Sequence, residues 1–230
     1  AHHTSTESTT LILNRKTSNG DIVRLRKDNA AVGSIGTVSS DLTIGTGDTG
    51  LRFSDSADTL YPWNMSTNVA TDAALNLGGG TVRFKDLYLS GGVYLGGTGA
   101  ANKLDDYEEG TFNATVTTGT ATYLHGRYVK VGSVVTATCL IYNFSNRTST
   151  GDAISFQLPF STPSGEAYGG GGNVMFRYIS SVNDVTIAPY ISGSLLELFQ
   201  CNEGNYTQIK HSQLANTSSR FYFTVTYRTA

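Results

Sequence analysis

The sequence predicts an all-β protein with a slender, fibrous first half and a compact antiparallel β-sandwich in the second half. Residues 11–104 contain only short strand-like pieces separated by Gly, Ser or Asp. From Tyr107 onward the strand-like runs are longer, alternate better and include 18 of the 24 aromatic residues. Because aromatic side chains bring the most buried area per residue, the second half can build a core of its own.

The strand-like pieces of the first half are too short to pair into a sheet with a closed core within one chain. The pieces considered are 42–44, 51–53, 75–77, 87–89 and 93–95. Burying their side chains requires stacking along an axis or additional copies of the chain. We therefore predict a multi-chain shaft over residues 11–105. Residues 1–10, almost all Ser, Thr, His and Glu, are predicted to form a flexible or extended arm.

Local signals in the first half predict a hairpin, a short helix and a packed tryptophan. Asn19-Gly20 lies between the apolar runs 11–15 and 22–26, and this dipeptide favours a β-hairpin turn. Residues 69–77 are a helical candidate of one or two turns. Trp63 follows a proline that favours an extended or turn conformation, and we predict that its ring packs across an interface between chains.

The charge pattern predicts neither nucleic-acid binding nor membrane insertion. Only 15% of residues are charged and the net charge is -2, so no long-range field attracts an anionic partner. Arg24 and Arg26 share one strand face, but Asp21 and Asp28 flank them, which favours a solvated strand face over a phosphate site. No apolar run approaches the length of a membrane span.

The second half contains the strand pattern of an antiparallel sandwich or jelly roll. The predicted strands are 126–137 continuing to 142, 153–158, 173–180, 184–191, 195–199 and 220–228. In the last of these, Phe221, Phe223, Val225 and Tyr227 alternate onto one face. Several such strands joined by Gly, Pro and Asn turns are typical of sandwiches.

The two cysteines predict free thiols rather than a disulfide framework. A small secreted scaffold would usually carry more cysteines. Alternation places Cys139 on the same side as Val135, Ala137 and Ile141, which favours a buried thiol. A bond between Cys139 and Cys201 stays open at this point.

Several segments carry a family resemblance. They read NRKTSNGDIV at 14–23, RKD at 26–28 with VGSIG at 32–36, LRFSD at 51–55 with LYP at 60–62, and ALNLG at 74–78 with RFKDLYLSG at 83–91. These segments resemble shaft repeats of bacteriophage tail fibres. The segment KLDDYEEGTF at 103–112 is similar to the join between shaft and knob in such fibres. The resemblance covers residues 12–115.

The resemblance implies a homotrimeric virion fibre. It implies an intertwined trimeric shaft at 11–105 that carries a terminal knob, and the strand pattern predicts that this knob, at 106–230, is a β-sandwich of jelly-roll type. The N-terminal part would attach to tail, baseplate or capsid proteins. The knob would mediate adsorption by binding a bacterial surface glycan or protein, and the mature fibre would lie on the virion. The alternative is a capsid-attached head fibre or decoration protein, whose role is display or stabilisation rather than selection of the host.

Three predicted loops of the knob supply candidate receptor-binding residues. Glycans are recognised by aromatic faces and by polar side chains that bind hydroxyl groups, and loops on a rigid sandwich often carry such residues. The candidates are Tyr142, Asn143, Asn146, Arg147, Tyr168, Asn202, Glu203 and Tyr206. The competing interpretation is that the Asn residues only form turns and the tyrosines only pack.

The sequence does not predict an enzyme, and no cofactor or metal is expected. Glycoside hydrolysis needs two carboxylates that flank a sugar. Asp105, Asp106, Glu108 and Glu109 are acidic neighbours, but they lie in the predicted connector. At a trimer axis they would suit a cation, although such clusters more often stay solvated or cap amides. A small glycan hydrolase is the third class considered.

Overall fold

The computed structural model describes residues 4, 6–7, 9–163, 170–180 and 186–229, so the predicted arm at 1–10 lies partly outside the described residues. The fold is all-β, with 51% strand and 3% helix in several antiparallel sheets, which confirms the predicted class. The chain divides into two compact units, Ala1–Leu87 and Tyr88–Ala230. None of the described helices has the length and apolar character needed to cross a bilayer.

The N-terminal unit contains a six-stranded antiparallel meander in which each strand pairs with the next one. Its strands are β1 (Gly20–Lys27), β2 (Ala30–Val38), β3 (Asp41–Thr46), β4 (Thr49–Ser54), β5 (Thr59–Asn64) and β6 (Val69–Ala70). Two of the predicted pieces, 42–44 and 51–53, lie in β3 and β4. These pieces pair within one chain, but their apolar side chains stay partly exposed, so this sheet has no closed core of its own among the described residues.

The predicted hairpin at Asn19-Gly20 is wrong. Residues 11–15 form no strand, because the Arg15 side chain donates hydrogen bonds to the carbonyls of Ser18 and Asp21 and organises a loop there. The first hairpin instead turns at Asp28-Asn29, where Lys27 pairs with Ala30. Asp28 and Asn29 have φ values of 48° and 63°, as a two-residue type I′ turn requires.

The other two local expectations also fail. Residues 69–77 contain the short strand β6 and no helix. Trp63 is already buried within its own chain, at 3% exposure. Its Nε1 donates to Asn68 Oδ1 at 3.2 Å, and the Arg52 guanidinium lies 5.0 Å from the ring centroid. Register places Trp63 opposite Gly50 of β4.

The two faces of the meander differ in polarity. On one face, Arg52 forms an ion pair with the buried Asp41 and lies over Trp63. On the other face, alternation collects large aliphatic and aromatic side chains that we call the apolar face. These are Leu25, Leu42, Ile44, Leu51, Phe53 and Leu60. Each of them is 42–53% exposed, so the single chain leaves this face uncovered.

The C-terminal unit contains eleven strands in the described residues. They are β7 (Val93–Tyr94), β8 (Lys103–Leu104), β9 (Tyr107–Thr111), β10 (Thr122–Val131), β11 (Val134–Tyr142), β12 (Ser155–Gln157), β13 (Gly171–Arg177), β14 (Thr186–Ser192), β15 (Leu195–Asn202), β16 (Asn205–Gln208) and β17 (Arg220–Arg228). Two 3₁₀ helices, Ala100–Asn102 and His211–Gln213, complete it. The six strands predicted after residue 106 all overlap observed ones.

Two antiparallel sheets of this unit share one hydrophobic core. The larger has the order β13-β17-β11-β10-β9, and the smaller has the order β12-β15-β14 with β16 also paired to β15. Phe156 of β12 lies 5.6 Å from Phe221 and 6.2 Å from Phe223, measured between ring centroids. The predicted inward face of β17 is confirmed, since Phe221, Phe223, Val225 and Tyr227 are all buried.

The cysteine prediction is confirmed in its main part. Cys139 is buried in the core beside Val135, Ala137 and Ile141, and both Cys139 and Cys201 are free thiols. Burial raises the pKa of the Cys139 thiol to about 11. Cys201 is partly exposed.

Candidate functional site

The carboxylates of the acidic connector are all engaged within the chain, and two of the four are paired with a lysine. Each of its carboxylates has a basic or hydroxyl partner within the chain. The pairs are Asp105–Lys103, Asp106–Lys130, Glu108–Tyr128 and Glu109–Tyr107. The hydrogen bond and charge of Lys103 lower the pKa of Asp105. In the described ranges no group of three or more His, Cys, Asp or Glu side chains is placed to hold a metal ion.

The first predicted binding loop begins where β11 ends. Tyr142 is the last residue of that strand and is partly buried. Asn143 is exposed, with a φ of 59° that turns the chain out of the sheet. The next residue, Phe144, points back into the core at 3% exposure. Only Asn143 of this trio is therefore freely presented to solvent.

Asn146 and Arg147 shape this loop from within. Asn146 Oδ1 accepts hydrogen bonds from the backbone N–H groups of Thr148 and Ser149, both at 3.4 Å. Its carbonyl oxygen lies 2.9 Å from Nδ1 of the buried His211, which must be the donor because a carbonyl only accepts. Arg147 Nε is buried and has no hydrogen-bond partner among the described residues. These interactions favour a structural role for Asn146.

The second described candidate group lies on the β15–β16 hairpin. Asn202 pairs with Asn205, and Glu203-Gly204 form the two-residue turn with φ values of 47° and 83°. Glu203 therefore occupies a left-handed position that serves the turn. Tyr206 follows on β16 and is 72% exposed. Of this group, Tyr206 presents the largest accessible apolar surface.

The structure does not assemble the predicted residues into one site. The loop after β11 is hydrogen-bonded to His211, whereas Tyr206 contacts Phe199 of β15. Within the described part of the chain, no hydrogen bond or aromatic contact links the two groups. Tyr168, the remaining candidate, lies outside the described residues.

Tyr206 belongs to a row of three aromatic side chains on the outward face of the smaller sheet. We call Tyr190, Phe199 and Tyr206 the aromatic strip. The ring centroid of Phe199 lies 5.8 Å from that of Tyr190 and 5.4 Å from that of Tyr206, in edge-to-face arrangements. The three rings help to line a cavity of about 480 Å³.

Sequence reasoning missed Tyr190 and Phe199, although the turns between β14, β15 and β16 offered a signal for their position. Two-residue turns at Gly193-Ser194 and Glu203-Gly204 set the register of β14, β15 and β16. Side chains two residues apart then share one face, which places the three rings diagonally across adjacent strands.

No protein-family model matches the chain, and searches of curated proteins and of solved structures found no match.

Proposed function

We propose that this chain is a homotrimeric virion fibre whose C-terminal domain binds a receptor on the bacterial cell surface, most simply a glycan. The observation that carries the proposal is the uncovered apolar face of the N-terminal meander. The likeness of residues 12–115 to tail-fibre shaft repeats supports the trimeric state and the viral context. The function is adhesive and structural, without turnover.

The apolar face supports association between chains. Full burial of one large apolar side chain contributes about 1.5–3 kcal/mol. Covering the exposed half of the six side chains in this face would therefore contribute on the order of 5 kcal/mol per chain. A continuous exposed patch of this kind marks an interaction surface in soluble proteins. Equivalent faces of three chains, each turned inward, would cover one another and form the shaft.

The segment after the meander supports the same assembly. Residues 71–87 contain no strand, yet they include several strongly exposed apolar side chains. Leu77, Val82, Phe84 and Leu87 are 66–74% exposed. Such a segment has no reason to stay ordered alone, whereas intertwined copies would bury it. The proposed shaft therefore includes this segment, and we keep the sequence-based proposal that it ends at residue 105.

The C-terminal sandwich suits the role of a jelly-roll-like knob at 106–230. Its closed core makes a rigid support for surface residues, as adhesive domains require. Three copies on one shaft would engage a repetitive cell surface together, so individually weak sites would give stable attachment. The N-terminal part would connect the fibre to other virion proteins.

The first test is the mass of the protein in solution. We expect a trimer at micromolar concentration by analytical ultracentrifugation. Phe53→Asp places a charge in the apolar face and should shift the protein to monomers, because the interface would have to bury the carboxylate. Thr59→Asp is the matched control, since Thr59 is exposed on the opposite face of the same sheet. A folded, protease-resistant wild-type monomer would contradict the proposal.

The adhesive role is tested separately on virions and cells. Purified trimer should compete with intact virions for adsorption to the host. Antibody labelling should place the protein at the tail tip, whereas labelling over the capsid would favour the head-fibre alternative. Adsorption that excess trimer leaves unchanged would argue against receptor binding.

A further inference from the structure

The outward face of the smaller C-terminal sheet has the composition of a ligand site. Most side chains there are small or polar, but the aromatic strip crosses β14, β15 and β16 in one diagonal row. Tyr206 is 72% exposed and Tyr190 is 37% exposed, so both offer ring surface to solvent. The cavity that they help to line falls within the range of small-ligand sites, about 300–1,000 Å³.

Polar groups lie beside the rings at positions set by strand register. Glu197 pairs with Tyr190, and Gln208 pairs with Phe199, and in each pair the two side chains share a face. Both polar residues are partly exposed. A carboxylate and an amide next to aromatic rings can accept and donate hydrogen bonds while a ligand packs on the apolar surface. The site therefore combines the two kinds of contact that a sugar ring uses.

The charge on this sheet narrows the class of ligand. Strands β12, β14, β15 and β16 contain no Lys or Arg, and Glu197 is their only charged residue. Nucleic acids and acidic polysaccharides depend on cationic side chains for much of their affinity. A negative carboxylate beside the rings would instead repel them. The pattern favours an uncharged ligand that has hydroxyl groups and an apolar ring face.

We propose that the aromatic strip, with Glu197 and Gln208 at its border, is a binding site for neutral pyranose units of an oligosaccharide. The C–H face of the sugar packs on Tyr190 and Tyr206, and its hydroxyl groups bind the carboxylate and the amide. This assignment rests on the proposed adhesive function for the source of the glycan. It also replaces the loop after β11 as the expected receptor contact.

The experiment uses the 230-residue chain and an array of bacterial oligosaccharides. Neutral hexose, deoxyhexose and N-acetylhexosamine oligomers should bind, and oligomers that carry uronic acid or phosphate should not. Tyr206→Ala and Tyr190→Ala should each weaken binding by about tenfold, as expected for a central aromatic contact. Tyr178→Ala is the matched control, because Tyr178 is 43% exposed and lies outside the strip. Its affinity should stay within twofold of wild type.

Two further measurements locate the ligand. Cys201 lines the same cavity, so a bound neutral oligosaccharide should slow its alkylation by iodoacetamide, while the buried Cys139 stays unreactive throughout. Glu197→Gln keeps a hydrogen-bonding group but removes the charge. This variant should still bind neutral sugars and should also show measurable binding of uronic-acid oligomers.

Three results would overturn the assignment. Equal binding of neutral sugars to wild type and to both tyrosine variants would place the site elsewhere. Binding of no neutral sugar on the array would remove the proposed ligand class. A Cys201 that is unreactive in the protein alone at all concentrations tested would show that another copy covers the face. Failure of the adhesive function is a different result, namely adsorption that excess trimer does not inhibit.

Discussion

The N-terminal meander and the C-terminal sandwich use the same alternating pattern with opposite results. In β3, Leu42 and Ile44 share a face and are 43% and 42% exposed. In β17, Phe221 and Val225 share a face and are completely buried. The difference is that β17 faces a second sheet of its own chain, whereas no described residue of the N-terminal unit covers the apolar face. Alternation thus identifies an apolar face without showing what covers it.

The comparison also separates two kinds of stability. The C-terminal core is intramolecular, so its contribution to folding does not depend on protein concentration. In the proposed fibre, the apolar face is covered only in the assembly, so its contribution follows mass action. Three predictions test whether the two regions differ in this way.

The largest expected effect is in the C-terminal core. Phe156→Ala removes a fully buried ring that contacts the rings of Phe221 and Phe223. It should reduce the free energy of unfolding by about 3–5 kcal/mol because it leaves a cavity. Urea denaturation followed by circular dichroism measures this change. Met175→Ala is the control, since Met175 is 63% exposed, and should change stability by about 0.5 kcal/mol or less.

The same comparison can be made at several protein concentrations, by measuring how much stability each variant loses. The loss caused by Phe156→Ala should be equal at all protein concentrations. Leu51→Ala, in the apolar face, should destabilise most at concentrations where the chains assemble, and progressively less as dilution dissociates the assembly. Equal, concentration-independent losses for both variants would mean that the two regions do not differ in the proposed way.

The second effect concerns pH and the buried Cys139. Burial raises the pKa of this thiol to about 11, so the folded state favours its protonated form. The resulting stabilisation is fully present below the unfolded pKa of about 8.5 and is lost as the pH rises towards 11. Its size is on the order of 2–3 kcal/mol.

Unfolding measurements between pH 8 and 10.5 test this prediction. Wild-type stability should fall more steeply with pH than that of Cys139→Ala, whatever the overall loss from the missing sulfur. Tyr227, whose pKa burial raises to about 12, adds a similar dependence only at higher pH. Parallel pH profiles for the two proteins would contradict the prediction that the Cys139 thiol causes this pH dependence of stability.

The smallest effect is expected in the N-terminal sheet. Arg52 Nε donates to the Asp41 carboxylate at 2.8 Å, and this hydrogen bond lowers the pKa of Asp41. A lowered pKa means that the stabilisation is present above the unfolded value near 4 and is lost as the pH falls through the folded value. Arg52→Gln should therefore lose less thermal stability than wild type between pH 6 and pH 3.

An exposed carboxylate provides the comparison for Asp41. Asp58→Asn, in the loop between β4 and β5, should retain the wild-type loss between pH 6 and pH 3. If Arg52→Gln shows the wild-type loss as well, the ion pair does not govern the acid response of this sheet.

Local turn chemistry explains which hairpins could be predicted. Asn19-Gly20 is the strongest dipeptide signal for a hairpin turn in this region, but the segment before it does not form a strand. The Arg15 side chain instead forms hydrogen bonds to backbone carbonyls of the loop. Asp28-Asn29 makes the turn because β1 and β2 both continue far enough to pair. A turn signal therefore predicts a hairpin only when both flanking segments become strands.

The sequence predicts only part of the candidate site, because the neighbours of each candidate side chain depend on the fold. The sequence predicts Tyr206 as a loop residue that contacts a receptor, and its side chain is exposed, but the aromatic residues beside it lie on β14 and β15. The sequence also predicts Asn146 as a binding residue, whereas the loop itself uses its side-chain oxygen to accept two backbone hydrogen bonds. Residue type shows what a side chain can bind, whereas the fold shows whether that capacity remains free.

The amino-acid sequence alone determined the all-β class, the strands of the second half and the inward face of β17, because period-two alternation and aromatic content are local properties. The pairing of the first half into a meander with one uncovered apolar face became visible only in the folded chain. The same holds for the contacts that join Tyr190, Phe199 and Tyr206. Both features depend on strand register and on which sheets pack together, and these involve residues far apart in the chain.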